Sequence, residues 1–259
     1  MASERLSIFK TLAGAFLIPW WNARLFARSL ALPVIGALIV FFAVRALPEE
    51  ISDGWIGTGL SVAGFALFSA LFAVTCHRLV LLPTAHKDQA FQLDAHWRVI
   101  RFVLWVVGLS VLEGLISFPF SAAMTWFINT FLIDQGATGN APPTEELSAL
   151  SVLLTLSTLP AVYFIARVSL VLPSVTVDRP LSLGTAWVLT KGNGWKMAAI
   201  VFLFPWFLFN IVDILPTGSL GEWGWTITIP FSVLVFIIEI SALSLSYGQL
   251  VGTGAEPNQ

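Results

Sequence analysis

Three ionisable side chains, Glu113, Arg167 and Glu239, lie inside apolar stretches of the sequence and are its first candidates for chemistry. A charge in an apolar environment is costly unless it is paired. One interpretation is a cation or proton site formed by the two carboxylates with Arg167 beside them. The other is that each group is neutral or paired and joins neighbouring helices. The second is favoured because neither Glu has an Asp, His or Asn one turn away to relay a proton.

The remaining reactive residues indicate no catalytic or metal site. The three histidines, His77, His86 and His96, are nine and ten residues apart and lack the HxxxH spacing of a metal site, so they are interpreted as solvated loop residues. Cys76 and His77 are adjacent and point to different helix faces, which disfavours a catalytic dyad. The run 191–194 is too short for a phosphate loop and predicts a helix end followed by a new start. We expect a non-enzyme without metal or cofactor.

The composition indicates a membrane protein. Hydrophobic residues make up 57% of the chain and charged residues 11%, whereas soluble domains carry about a quarter charged residues. Apolar blocks of 18 residues or more can cross a hydrocarbon core of about 30 Å as helices. The sequence therefore predicts an all-α integral membrane protein with about six transmembrane helices. The predicted spans are Leu30–Leu47, Gly54–Cys76, Phe102–Ile133, Leu147–Leu172, Met197–Leu215 and Trp225–Val251.

The basic residues predict the orientation, because loops rich in Lys and Arg stay on the cytoplasmic side. Eleven of the thirteen lie in three segments on one predicted side: Arg5, Lys10, Arg24 and Arg28; Arg78, Lys87, Arg98 and Arg101; and Arg179, Lys191 and Lys196. Both termini are therefore predicted to be cytoplasmic. The net charge of −2 and the absence of a dense basic arm disfavour nucleic acid as a partner. Arg167 lies near the same side, where it could reach lipid headgroups; an anionic-lipid contact is favoured over a substrate site.

An internal repeat organises the chain. Residues 82–105 and 172–195 align without gaps with six identities in 24 positions, two of them tryptophan. This predicts one transmembrane domain, 1–259, of three units (1–81, 82–171 and 172–251) and a short tail, 252–259. Each unit would contain a basic amphipathic helix on the membrane surface and a transmembrane hairpin.

The predicted surface helices supply the candidate interface residues. The first would span Ile8 to Arg28, with Phe9 on its apolar face, and the third would begin at Asp178 and Pro180. Tryptophan and basic side chains favour the headgroup layer. The candidate lipid and interface contacts are Arg24, Arg28, Trp97, Arg98, Arg101, Trp187, Lys191, Trp195 and Lys196.

Two stretches carry a family resemblance: YFIARVSLVLPSVTVDRPLSLGTAWVLTKGNGWK, from Tyr163 to Lys196, and CHRLVLL, from Cys76 to Leu82. They resemble polytopic inner-membrane proteins of proteobacteria, which are similar to the membrane domain of some glycerophosphoryl diester phosphodiesterases. The resemblance implies an α-helical bacterial membrane domain. It implies no phosphodiesterase activity, because the chain has no soluble phosphodiesterase domain and His77 and Arg78 lack the Gly and acidic residues that would follow them in such an active site.

Two functions remain open from the sequence. The favoured one is a non-catalytic accessory or scaffold component that contacts lipids, another membrane protein or a second copy of itself through its surface helices. The alternative is a small-solute or ion-coupled transporter that uses Glu113, Arg167 and Glu239 around a central cavity.

Overall fold

The computed structural model describes residues 6–48, 54–82, 96–128, 130, 155–214 and 225–252. Within them the chain is helical almost throughout and contains no strand. The helices are α1 (Ile8–Trp21), α2 (Ala23–Arg45), α3 (Trp55–Leu81), α4 (His96–Phe127), α5 (Leu159–Val168), α6 (Val171–Thr176), α7 (Leu183–Leu189), α8 (Gly194–Ala198), α9 (Phe204–Ile214) and α10 (Trp225–Gly252).

Six helical segments of the described chain are long and apolar enough to cross a membrane, which confirms the predicted all-α, multi-pass architecture. They are Ala23–Arg45, Trp55–Leu81, Trp97–Phe127, Leu159–Thr176, Gly194–Ile211 and Thr228–Gly252. The fourth combines α5 and α6. The fifth combines α8, a π-helical turn at Ala199–Leu203 and α9. A π turn before Pro205 is expected, because proline cannot donate a backbone hydrogen bond and its ring crowds the preceding turn.

Helix α3 continues five residues beyond the predicted end at Cys76. His77 and Arg78 lie in its last turns and are both buried. They remain helical because their polar atoms have partners on neighbouring helices, described below. Leu82 follows in an extended conformation and ends the helix.

Helix α1 differs from the predicted surface helix. Thr11 contacts Gln249 and Gly14 packs against Leu245, so α1 runs antiparallel to the carboxyl-terminal part of α10. Its buried stripe is Thr11, Ala15 and Pro19, whereas Phe9 is 87% exposed. Asn22 separates α1 from α2, which places Arg24 and Arg28 in the first turns of a spanning helix. Small side chains along α1 allow this close packing, which outweighs its weak amphipathic pattern.

The third predicted surface helix is present but begins later than predicted. Ser182, not Asp178, caps α7 by accepting a hydrogen bond from the Thr185 backbone amide. Asp178 instead occupies a turn with a φ of 58°. Gly192, with a φ of 80°, ends the turn after α7, as the sequence predicted. The matching segment of the second unit, residues 83–95, lies outside the described residues, so the three-unit repeat stays a prediction.

The buried core lies toward one end of the bundle. The carboxyl-terminal halves of α3 and α10, together with α5 to α8, contribute most of the buried side chains. In α2 and α4, only 17% of the most apolar stretch is buried. Their exposed apolar side chains are the surface expected where lipid surrounds the helices.

Candidate functional site: the basic end of the bundle

The contacts between the three basic segments bring them together at one end of the bundle, here called the basic end. The Asn193 side-chain oxygen accepts a hydrogen bond from the Leu6 amide at 3.1 Å, and the Lys196 ammonium donates to the Leu6 carbonyl at 2.8 Å. Arg98 pairs with Asp178. These contacts join the first segment to the third and the second to the third.

Arg167 connects α5 to α7. It lies in the last turn of α5 and is only 8% exposed. Its Nε donates to Thr190 Oγ1 at 3.2 Å, and its Nη2 donates to the Trp187 carbonyl at 2.5 Å. The guanidinium carbon lies 3.4 Å from the centre of the Trp187 ring. Planar stacking with two directed hydrogen bonds is a geometry that Arg forms and Lys does not.

The structure therefore places Arg167 differently from the sequence interpretation. Its guanidinium contacts α7, whereas the sequence suggested lipid headgroups, Glu113 or Glu239. Glu113 lies on α4 and Glu239 on α10, and both are partly exposed. Within the described part of the chain, neither carboxylate has a hydrogen bond or ion pair, so the structure gives no evidence that the three residues form one site.

Arg98 and Asp178 form the single ion pair in which both partners are described residues. Arg98 Nε donates to both carboxylate oxygens, at 2.9 and 3.0 Å, and Arg98 Nη2 lies 2.7 Å from Oδ2. The pair joins the first turn of α4 to the turn after α6. Asp tolerates the left-handed backbone conformation found at this position. Eighty residues separate the two partners, so sequence spacing gave no signal of this contact.

Arg78 extends this group. Its Nη1 donates to the Thr176 carbonyl at 3.1 Å, and it interacts electrostatically with both Arg98 and Asp178. Arg78 was predicted only as a member of a basic loop, yet it is buried. The apolar residues that follow it, Leu79 to Leu82, were the available signal that the helix continues. Arg78, Arg98 and Asp178 are called the arginine cluster below.

The reactive residues near this end are held in the core. His77 Nδ1 lies 2.7 Å from Ser244 Oγ, which links α3 to α10. Cys76 is fully buried, and His77 is directed to Ser244, so the pair does not form a dyad. His86 and the His96 side chain lie outside the described part. Among the described residues, no three His, Cys, Asp or Glu side chains are grouped as a metal site.

The other candidate interface residues lie at the surface or close to it. Trp97 and Trp195 are 57% and 64% exposed. The Arg101 guanidinium lies 5.5 Å from the centre of the Trp97 ring. The remaining exposed candidates are Arg24, Arg28 and Lys191, and the half-buried ones are Arg98, Trp187 and Lys196.

A shallow groove of about 310 Å³ follows one face of α4 from this end. It is lined by Arg101, Leu104, Trp105 and Gly108. No protein-family model, curated protein or solved structure matches this chain, so the resemblance of residues 163–196 stays a prediction.

Proposed function

We propose that this chain is a non-catalytic, multi-pass protein of a bacterial inner membrane whose basic end contacts anionic lipid, with both termini cytoplasmic. In this role it is an accessory or scaffold component, and the same surface is available to another membrane protein or a second copy. The proposal combines the six helical segments that are long and apolar enough to cross a membrane with the predicted orientation of the basic segments.

The contact between Arg167 and Trp187 is the observation that carries this proposal. It fixes α7 to α5 by burying a cation that a transporter would need to keep available for substrate. The fixed helix presents Val188 outward, and Lys191 and Trp195 follow it at the surface. Exposed aromatic and basic side chains on a rigid support are the chemistry of an anionic membrane interface.

Lipid enrichment around the purified protein tests the proposal. We expect nanodiscs or gently prepared micelles to contain more anionic than zwitterionic lipid around the native chain. Changing Arg24, Arg28 and Lys191 together to Gln removes three exposed charges and should abolish most of that enrichment, since each basic residue near an anionic surface contributes about 1 kcal/mol. Arg45→Gln, at the opposite end of α2, is the matched control and should leave the enrichment unchanged.

Equal enrichment in the triple variant and the native chain would contradict the lipid proposal. The transporter alternative has its own test, the variants Glu113→Gln and Glu239→Gln. On our proposal both should fold normally and retain the native lipid enrichment, because neither carboxylate has a partner among the described residues. Loss of a cellular activity in these variants would favour the transporter.

A further inference from the structure

We infer that the groove on α4 is a binding site for one phospholipid, with an acyl chain along Leu104, Trp105 and Gly108 and the phosphate at Arg101. This inference rests on the proposed lipid-contacting function and makes it specific: a single site with a defined headgroup position, rather than a general attraction of anionic lipid to the basic end.

The shape of the groove fits an acyl chain. Its four lining residues are spaced three, one and three residues apart, so they form one face along two turns of α4. From Arg101 to Gly108 the helix rises about 10 Å, a third of a hydrocarbon core of about 30 Å. The groove thus leads from the basic end into the depth where acyl chains lie.

The floor of the groove is open because Gly108 has no side chain. A Cβ placed there would meet no other atom within 4 Å. Trp105 forms one wall and packs against the protein core, whereas Leu104 is 64% exposed and forms an edge toward the surroundings. These walls are apolar, so an acyl chain would bury apolar surface without displacing a polar contact.

The charge at the mouth of the groove selects a phosphate. Arg101 is exposed, and its described contact is the Trp97 ring. Among the described residues, no protein acceptor binds the N–H groups of its guanidinium. Arg98 lies one turn earlier and pairs with Asp178. The positive charge at the mouth is therefore that of Arg101, and a guanidinium binds phosphate oxygens with paired hydrogen bonds.

Retention of phospholipid by the purified full-length chain tests this site. We would reconstitute the protein in nanodiscs containing equal amounts of phosphatidylglycerol and phosphatidylcholine, release it, and count bound lipids by native mass spectrometry. The native chain should retain one phosphatidylglycerol. Gly108→Leu adds a side chain where a Cβ would meet no other atom within 4 Å, so it should occupy the groove and reduce that retention at least tenfold. Gly114→Leu, also open around its Cβ but outside the groove, is the matched control and should retain the lipid.

The charge at the mouth is tested separately. Arg101→Gln should reduce retention of phosphatidylglycerol about tenfold, and Arg45→Gln should not change it. Protection of the buried Cys76 from a thiol reagent shows that each variant is folded. A bound lipid that persists in folded Gly108→Leu overturns the inference.

Two further outcomes distinguish a phospholipid site from a free-anion site and from a general attraction of lipid to the basic end. If inorganic phosphate alone binds in an Arg101-dependent manner while Gly108→Leu has no effect, the site accepts a free anion and the lipid inference fails. If Gly108→Leu leaves lipid retention unchanged but the triple variant of Arg24, Arg28 and Lys191 loses its general enrichment, this inference fails and the proposed function stands. If neither changes lipid content, both fail.

Discussion

At the scale of single residues, Arg167 shows how an ionisable group inside an apolar segment can be structural. Two hydrogen bonds and a ring face satisfy its guanidinium at the basic end. The sequence indicated correctly that an arginine in this apolar segment needs a contact that stabilises its charge. It could not indicate the partners, because one acceptor is a backbone carbonyl 20 residues away and the other a threonine hydroxyl 23 residues away, across a turn.

We expect Arg167→Lys to lower the free energy of unfolding by about 2 kcal/mol, because a lysine loses the stacking on Trp187 and one of the two hydrogen bonds of a charged donor. Heating the detergent-solubilised protein with a thiol-reactive fluorophore measures this, since Cys76 is the single cysteine and is buried.

Arg101→Lys is the matched control for this experiment. Arg101 also lies over a tryptophan, but at the surface and 5.5 Å from the ring centre. Surface substitutions of this kind usually change stability by no more than about 0.5 kcal/mol. If Arg167→Lys and Arg101→Lys have similar midpoints of thermal unfolding, the contact of Arg167 with α7 contributes nothing specific to stability.

At the scale of helices, hydropathy predicted the spans but not their interruptions. All six apolar blocks correspond to observed spans, because the cost of placing a backbone in lipid fixes their length. The break between α5 and α6 is indicated by Pro173, which has no amide to donate to the Ser169 carbonyl four residues earlier, but hydropathy does not register it. Ser169 and Ser174 there donate hydrogen bonds to the carbonyls of Ala166 and Val171. Such bonds depend on local backbone geometry, which composition does not encode.

Helix α1 illustrates the same limit. The sequence placed Phe9 on the apolar face of α1, yet Phe9 is 87% exposed. The buried stripe is Thr11, Ala15 and Pro19, and Leu12 and Phe16 pack partly buried beside it. Where lipid surrounds a helix, apolarity does not distinguish the buried side. Small side chains that permit close approach are then the better indicator.

The hairpin of α2 and α3 provides a prediction on this point. A Cβ on Gly64 would clash with Val40 Cγ1, and a Cβ on Gly36 would clash with the Phe68 ring. We expect Gly64→Ala to lower the free energy of unfolding by about 1–3 kcal/mol, the usual cost of overpacking. Gly36→Ala should cost less, because an aromatic ring can rotate, whereas valine is confined to one rotamer in a helix.

Gly59→Ala is the control in the same helix. Its Cβ would meet nothing within 4 Å, so it should be neutral or stabilise the helix by up to about 1 kcal/mol. Heat-induced labelling of Cys76 again gives the midpoint of thermal unfolding for each variant. Equal midpoints for Gly64→Ala and Gly59→Ala would show that α2 and α3 do not pack as closely as described.

At the scale of the whole molecule, the fold concentrates its polar contacts at one end. The arginine cluster, the bond between His77 and Ser244 and the anchoring of Leu6 by Asn193 all join helices that are distant in sequence. In α2 and α4 only 17% of the most apolar stretch is buried, and the exposed apolar surface is the part expected to face lipid. The basic end is therefore the part where directed polar contacts join the helices, and such contacts are needed to hold a lipid or partner in a fixed position.

The orientation of this end can be tested by accessibility in intact cells. In a Cys76→Ser background, we would introduce either Lys191→Cys or Glu145→Cys. Glu145 lies between the third and fourth predicted spans, on the side predicted to be opposite the basic segments. Because loops rich in Lys and Arg remain cytoplasmic, a membrane-impermeant maleimide should label the Glu145→Cys protein in sealed cells with a permeable outer membrane. The Lys191→Cys protein should be labelled only after lysis. Lys191 is exposed in the structure, so protection cannot come from burial. Labelling of Lys191→Cys in sealed cells would invert the topology and place the basic end, with its lipid site, in the opposite leaflet.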